Sequence, residues 1–176
     1  MTRRLAIALA LVLFAPPAIA DEPSAMQATA DGFYRVYRGF HPSDGIPDVA
    51  GRAKYRPFLS PRLDALLEAA GNAQAGFAAK YKNSPPLLEG DIFSSLFEGA
   101  TAVSVDGCVA NGEAGRCMAH LRHASPGDKP SAWDDTVYLV NTPAGWRVDD
   151  IGYGGGWDFA NKGRLSETLS QAIHFQ

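Results

Sequence analysis

The chain is poor in the residues that build reactive centres. It has two cysteines and four histidines among 176 residues. Cys108 and Cys117 lack Cys-x-x-Cys spacing, and no His/Cys cluster has ligand spacing, so neither a redox pair nor a metal site is written into the sequence. It has no polybasic run: 16 Lys and Arg stand against 19 Asp and Glu, a net charge of −3. Nucleic acid and anionic membrane surfaces are therefore poor partners. No serine or cysteine is paired by motif with His41, His120, His123 or His174, which leaves a nucleophile triad unsupported. Internal repeats and low-complexity segments are also missing. The sequence assigns no catalytic residue, metal or cofactor.

What is present begins with a leader. Arg3 and Arg4 form a basic start, Leu5 to Phe14 an apolar run, and Ala18-Ile19-Ala20 a small-x-small cleavage site behind Pro16 and Pro17. The apolar run is too short to anchor the chain across a bilayer, and no cysteine follows the site to take a lipid. Residues 1–20 read as a bacterial signal peptide, with the product periplasmic or secreted. Without Arg3 and Arg4 the charge is 14 basic against 19 acidic, or −5. Residues 21–176 have the length of one domain with a single core. In an oxidising compartment Cys108 and Cys117, flanking a glycine-rich hairpin, form a disulfide, which stabilises the fold by roughly 2–3 kcal/mol.

Residues 21–25 read as a flexible start. Met26, Thr29, Ala30, Phe33, Tyr34, Val36, Tyr37 and Phe40 then recur at helical spacing over 25–40. Turn residues make 41–52 a loop. Ser60 and Pro61 open a second helix as N-cap and first helical residue, with Leu63, Leu66, Leu67 and Ala70 as its buried stripe. Gly71-Asn72 breaks that helix, and 73–81 forms another short one. The apolar stretch 87–97, carrying Asp91, fits neither period. Strands follow at 101–105, 117–123, 134–141 and 146–151. Alternation puts Cys117, Ala119, Leu121 and His123 on one face and Met118, His120 and Arg122 on the other. Pro143-Ala144-Gly145 turns the chain into the last strand. Helix 165–175 closes it, with Asn161 as N-cap. Helices first, then an antiparallel meander, then a helix, is an α+β order with helices packed on a sheet of about four strands.

An early Phe33-Tyr34-x-x-Tyr37 helix, the segment Phe58-Leu59-Ser60-Pro61-Arg62-Leu63, hairpin strands and the ending Gly145-Trp146-Arg147-Val148-Asp149-Asp150-Ile151 carry a family likeness. Over most of residues 25–175 the chain resembles small exported bacterial domains of unknown function related to the nuclear-transport-factor-two-like (SnoaL-like) superfamily. The resemblance implies a curved sheet wrapped on helices as a cone, and no particular activity, because members include enzymes, binding modules and dimerisation modules. The disulfide hairpin and the Gly154-Gly155-Gly156 run depart from the common pattern.

The most distinctive chemistry is in Trp146 to Trp157. Alternation would place Trp146, Val148 and Asp150 on one face and Arg147, Asp149 and Ile151 on the other. Gly152, Gly154, Gly155 and Gly156 are then free to take positive φ. An Asp150 facing the concave side would have its pKa raised by burial and could serve as a general base. Against that stands Asp150 as a cap on the glycine turn. The glycine run lacks the lysine of a phosphate loop and reads as a tight turn. Tyr34, Tyr37, Arg38, Trp146, Asp150, Tyr153 and Trp157 are the candidate ligand-binding residues, as an aromatic rim with a few polar groups. Trp133, Tyr153 and Trp157, if exposed, would suit a protein partner. The reading is a non-enzymatic periplasmic domain that binds an envelope protein or small envelope ligand, such as an inhibitor or immunity protein. Its alternative is a small-molecule site or enzyme in the concave pocket, with Asp150 or a tyrosine as acid/base. A homodimer through the sheet is the third possibility.

Overall fold

The computed structural model describes residues 21–39, 45–127 and 129–175. The leader expected over 1–20 lies outside them, as do Phe40, His41, Pro42 and Asp44. The fold is α+β: α1 (Glu22–Tyr37), α2 (Val49–Tyr55), a 3-10 turn at Arg56–Phe58, α3 (Pro61–Lys80), β1 (Ala102–Asn111), β2 (Ala114–His123), β3 (Ser131–Thr142), β4 (Gly145–Gly152) and α4 (Leu165–His174). The strands form one antiparallel meander in chain order. Among the described residues no helix is long and apolar enough to cross a membrane.

Helix α1 starts earlier than the flexible start read from the sequence. The Asp21 carboxylate accepts from Ser24 N at 2.9 Å, and Glu22 and Pro23 fill the first turn, which satisfies amides that the helix itself cannot. Met26, Ala30, Phe33, Tyr34 and Tyr37 form its buried stripe. The loop expected over 41–52 contains the start of α2, because Asp48 caps it through Gly51 N at 2.7 Å. Arg52 on α2, 6% exposed, binds Asp64 at 2.8 Å and Glu68 at 3.0 Å on α3. Ser60 and Pro61 open α3 as expected, with Leu63 N donating to Ser60 Oγ at 3.0 Å.

Gly71-Asn72 does not break α3. The buried stripe of Leu67, Ala70 and Ala73 stays in phase across it, with Asn72 outside. Packing of that stripe offsets the ~1 kcal/mol helix cost of one glycine. The stretch 87–97 has no regular structure, yet residues 90–95 are all buried.

Each strand is longer than expected, and β2 buries Cys117, Ala119 and Leu121 as its alternation required, with His123 half-buried at its end. Cys108 and Cys117 form the disulfide, with sulfurs 1.98 Å apart. The β1–β2 register slips between Asp106 and Val109, so Gly107 and Cys108 stand opposite Cys117. Gly107 takes φ +59°, the left-handed conformation of a bulge that inserts one residue and switches the faces beyond it. Cys108 and Ala110 thereby turn to the core, and Val109 to solvent. A Cβ at Gly107 meets only Met118 Cβ, at 3.8 Å. Gly107→Ala should therefore cost about 1–2 kcal/mol in backbone strain alone, with the disulfide still formed; chemical denaturation with a thiol titration reads both.

A second bulge sits in β4. Leu139 pairs with Val148 but Tyr138 with Asp150, leaving Asp149 unpaired between them. This corrects the expected faces: Ile151 joins Trp146 and Val148 in the core, and Asp150 faces the other way beside Tyr138. Residues from α1, the 90–95 loop and the inner sheet face then form one core around Phe33, Phe93, Leu121, Val137 and Ile151.

Candidate functional site

The core face of the sheet is covered by packed side chains. Phe33 packs against Tyr34, Tyr55 and Phe93, each at a ring distance of 5.2 Å. Phe33 and Phe93 are fully buried, and Tyr34, Tyr37 and Tyr55 are each 3% exposed. Into this packing the 90–95 loop inserts two carboxylate-centred networks.

Asp135 is the hub of the first. It lies on the core face of β3 between Trp133 and Val137 and is 1% exposed. Its carboxylate accepts from Ser95 N at 2.9 Å, Gly154 N at 2.9 Å, Trp133 Nε1 at 3.2 Å and the Ser95 hydroxyl. Gly155 N in turn donates to Ser95 Oγ at 2.9 Å. None of Gly152, Gly154, Gly155 and Gly156 has positive φ, which corrects the expected turn. Gly154 is needed for close approach instead: a Cβ there would collide with the Asp134 carbonyl. The amides that resembled an anion site already hold Asp135 and Ser95.

Asp91 centres the second network. It is 1% exposed; its Oδ1 accepts from Phe93 N at 2.7 Å and its Oδ2 from the Tyr37 hydroxyl. Burial pushes its carboxyl up to about 6, with Asp135 adding to the rise and hydrogen bonds from Tyr37, Phe93 and Ser94 opposing it. Burial likewise raises the Tyr34, Tyr37, Tyr55 and Tyr153 hydroxyls above the ordinary tyrosine range. The Tyr34 and Tyr55 hydroxyls have no hydrogen-bond partner among the described residues. Asn161 Nδ2 donates to the Asp91 and Ser94 carbonyls at 2.9 and 2.8 Å, and Tyr153 Oη to Ile92 O at 2.7 Å. Chemically, Asp91 is a carboxylate poised for proton exchange, but protein atoms enclose it.

The structure does not gather the seven candidate residues into one site. Tyr34, Tyr37 and Trp146 are core residues. Asp150 is 3% exposed and caps α4: Ser166 N reaches its Oδ1 at 3.0 Å and Ser166 Oγ its Oδ2 at 2.6 Å. Asn161 is therefore not the N-cap; Arg164 holds that place. Arg62 and Arg164 each lie 3.8 Å from Asp150. Asp149 binds Arg62 at 2.8 Å and Ser60 Oγ at 2.6 Å. Burial pushes its carboxyl up, but these partners outweigh that and hold it below the usual range. Trp157 is half-buried against Trp133, 5.6 Å away, and Trp133 is 8% exposed rather than open to a partner. Arg38 is exposed.

Among the described residues, five surface cavities of 400–510 Å³ have linings without Asp91, Asp135 or Asp150. Tyr37 and Arg38 border one of about 400 Å³. Two others adjoin at the far end of α3, where Phe77, Leu87 and Phe175 are shared. His123 Nε2 lies 2.9 Å from Ser125 Oγ and its Nδ1 2.7 Å from Gly99 O, a pairing no motif announced. The neighbouring cavity is lined by Gly99 but not by Ser125. On the outer sheet face His120 joins Asp106 at 3.0 Å and Asp134 at 2.6 Å, and both hydrogen bonds raise its pKa.

Asp135 and Asp91 escaped the sequence reading, though each left a signal. Asp135 sits two residues from Trp133 and Val137, on the face that strand alternation assigns to the core. Asp91 follows Glu89 in an otherwise apolar stretch and is the acid that directly precedes Ile92 and Phe93. No family model matches the chain, and no curated protein or solved structure matches it.

Proposed function

We propose that the chain is an exported, non-enzymatic binding domain of the bacterial envelope. It takes its protein or small-molecule ligand on its outer surface. The observation that carries this is the filled core face of the sheet. Its aromatics pack on one another, and its two most buried carboxylates hold the 90–95 loop and the glycine elbow in place. Asp91, Asp135 and Asp150, the acids buried among the described residues, line none of these five cavities, so their carboxylates serve the fold rather than a ligand. The leader-like start and the disulfide support export. The α+β order is in keeping with the SnoaL-like resemblance, in which binding modules occur.

Thermal unfolding with fractionated bacterial envelope extract tests the reading. Ligand at 100 times its Kd adds about 2.7 kcal/mol, roughly 5–10 °C for a chain of this size. One protein or lipid fraction should raise Tm by that amount. No rise with any fraction would overturn the proposal.

A further inference from the structure

The two adjoining cavities at the end of α3 form one elongated trough. They measure about 440 and 450 Å³ and share Phe77, Ser84, Leu87 and Phe175. One end is bounded by Gly76, Lys80 and Tyr81, the other by Pro85, Pro86 and Ala172. Phe77 stands between Tyr81 and Phe175 at ring distances of 4.8 and 6.1 Å. Tyr81 and Phe175 are nonetheless 44% and 68% exposed. Aromatic surface left open on a concave wall marks a place that something covers.

Charge says what. Among the described residues, Lys80 is the one charged residue in the lining of either cavity. Its Nζ lies 5.0 Å above the Tyr81 ring, and among the described residues no carboxylate lies within ion-pair distance of it. A long trough, mostly apolar but with Ser84, Thr168 and Gln171 in its lining and one ammonium at its end, matches a chain with one anionic head. A cationic amphiphile would meet Lys80 as a like charge, and a compact ligand would leave half the trough empty.

We propose that this trough binds a single-chain fatty carboxylate, with the alkyl chain along Phe77, Leu87 and Phe175 and the carboxylate on Lys80. The proposal rests on the binding-domain reading and names a ligand class for it. Gly76 supplies a test that does not endanger the fold. A Cβ there meets nothing within 4 Å, and glycine is the poorer helix former, so Gly76→Leu fills the trough while favouring α3.

The experiment is an amide NMR titration of the protein with octanoate, decanoate and decyltrimethylammonium, each below its micelle concentration. Decanoate should saturably shift amides in 76–87 and 168–175. It should bind about tenfold tighter than octanoate, since each buried methylene multiplies affinity about fourfold at most. Lys80→Glu should weaken decanoate at least tenfold and strengthen the cation. Gly76→Leu should abolish both shifts with Tm maintained. Three results would each overturn the proposal: no saturable shift in those segments, equal binding of anion and cation, or indifference to Lys80→Glu. Because the probes are pure compounds, such a failure removes the trough site alone; the broader reading falls only if no envelope fraction stabilises the protein.

Discussion

Asp135→Ala is expected to destabilise the protein by about 4 kcal/mol. The substitution removes the acceptor of four donors: Ser95 N, Gly154 N, Trp133 Nε1 and the Ser95 hydroxyl. The hydroxyl can rotate to another acceptor, but the two backbone amides cannot. A buried donor left without an acceptor costs roughly 1–3 kcal/mol. Asp135→Asn keeps one acceptor oxygen and turns an NH2 toward a donor, so it should cost about half as much. Urea denaturation of the two variants measures both losses. Amide exchange adds a local readout, because Ser95 N and Gly154 N should be protected in the parent and not in Asp135→Ala. A loss under about 1 kcal/mol for the alanine variant would mean that another acceptor reaches those amides, and that Asp135 is not what ties the loop to the glycine elbow.

Asp91→Asn should change how stability depends on pH. The Asp91 carboxyl titrates near 6 in the folded protein against an ordinary 3.8, chiefly because burial opposes its charge. A folded pKa above the unfolded one means that the folded state holds the proton more tightly. The stability it contributes is fully present below 3.8 and is lost as pH rises through 6. About two pKa units correspond to about 3 kcal/mol. Relative to Asp91→Asn, the parent should therefore lose about that much between pH 4 and 7. Taking the difference cancels groups common to both proteins. Of the neighbours that face Asp91, the tyrosines move further above this window, and Asp135 is present in both proteins. Parallel stability profiles from pH 4 to 7 would show that Asp91 is not a buried titrating carboxyl. The same pair tests its link to α1, since the asparagine can still accept from Phe93 N but gives the Tyr37 hydroxyl no carboxylate.

Much of the fold was readable because its signals are local. Ser60-Pro61 opens α3 through contacts within one turn. The Cys117, Ala119 and Leu121 alternation needs only the pleat of one strand. Pro143-Ala144 turns into β4 by its own backbone preferences. The misreadings have a common cause as well. Gly71-Asn72 looked like a helix break, but burial of Leu67, Ala70 and Ala73 outweighs one glycine's propensity. Residues 41–52 looked like a loop, yet Asp48 within them is an N-cap, a distinction that depends on whether the following residues find something to pack on.

The candidate site was less legible, because it depends on registers and distant partners. By itself the sequence determined the α+β order, the helix and strand periods, the buried face of β2 and the cysteine pair, all of which follow from spacings of two to four residues or from composition. Tertiary structure alone decided where the acids point. A one-residue bulge at Asp149 turns Asp150 from the concave face to the start of α4. The 90–95 loop brings Ser95 to Asp135 and Tyr37 to Asp91 across separations of 40 and 54 residues. Alternation within a strand cannot foresee a bulge, and an apolar run that matches no period does not say which cavity it will fill. Of the two acids in that run, Asp91 is held in the core because distant donors meet it there, whereas a charge left without them would be too costly to bury.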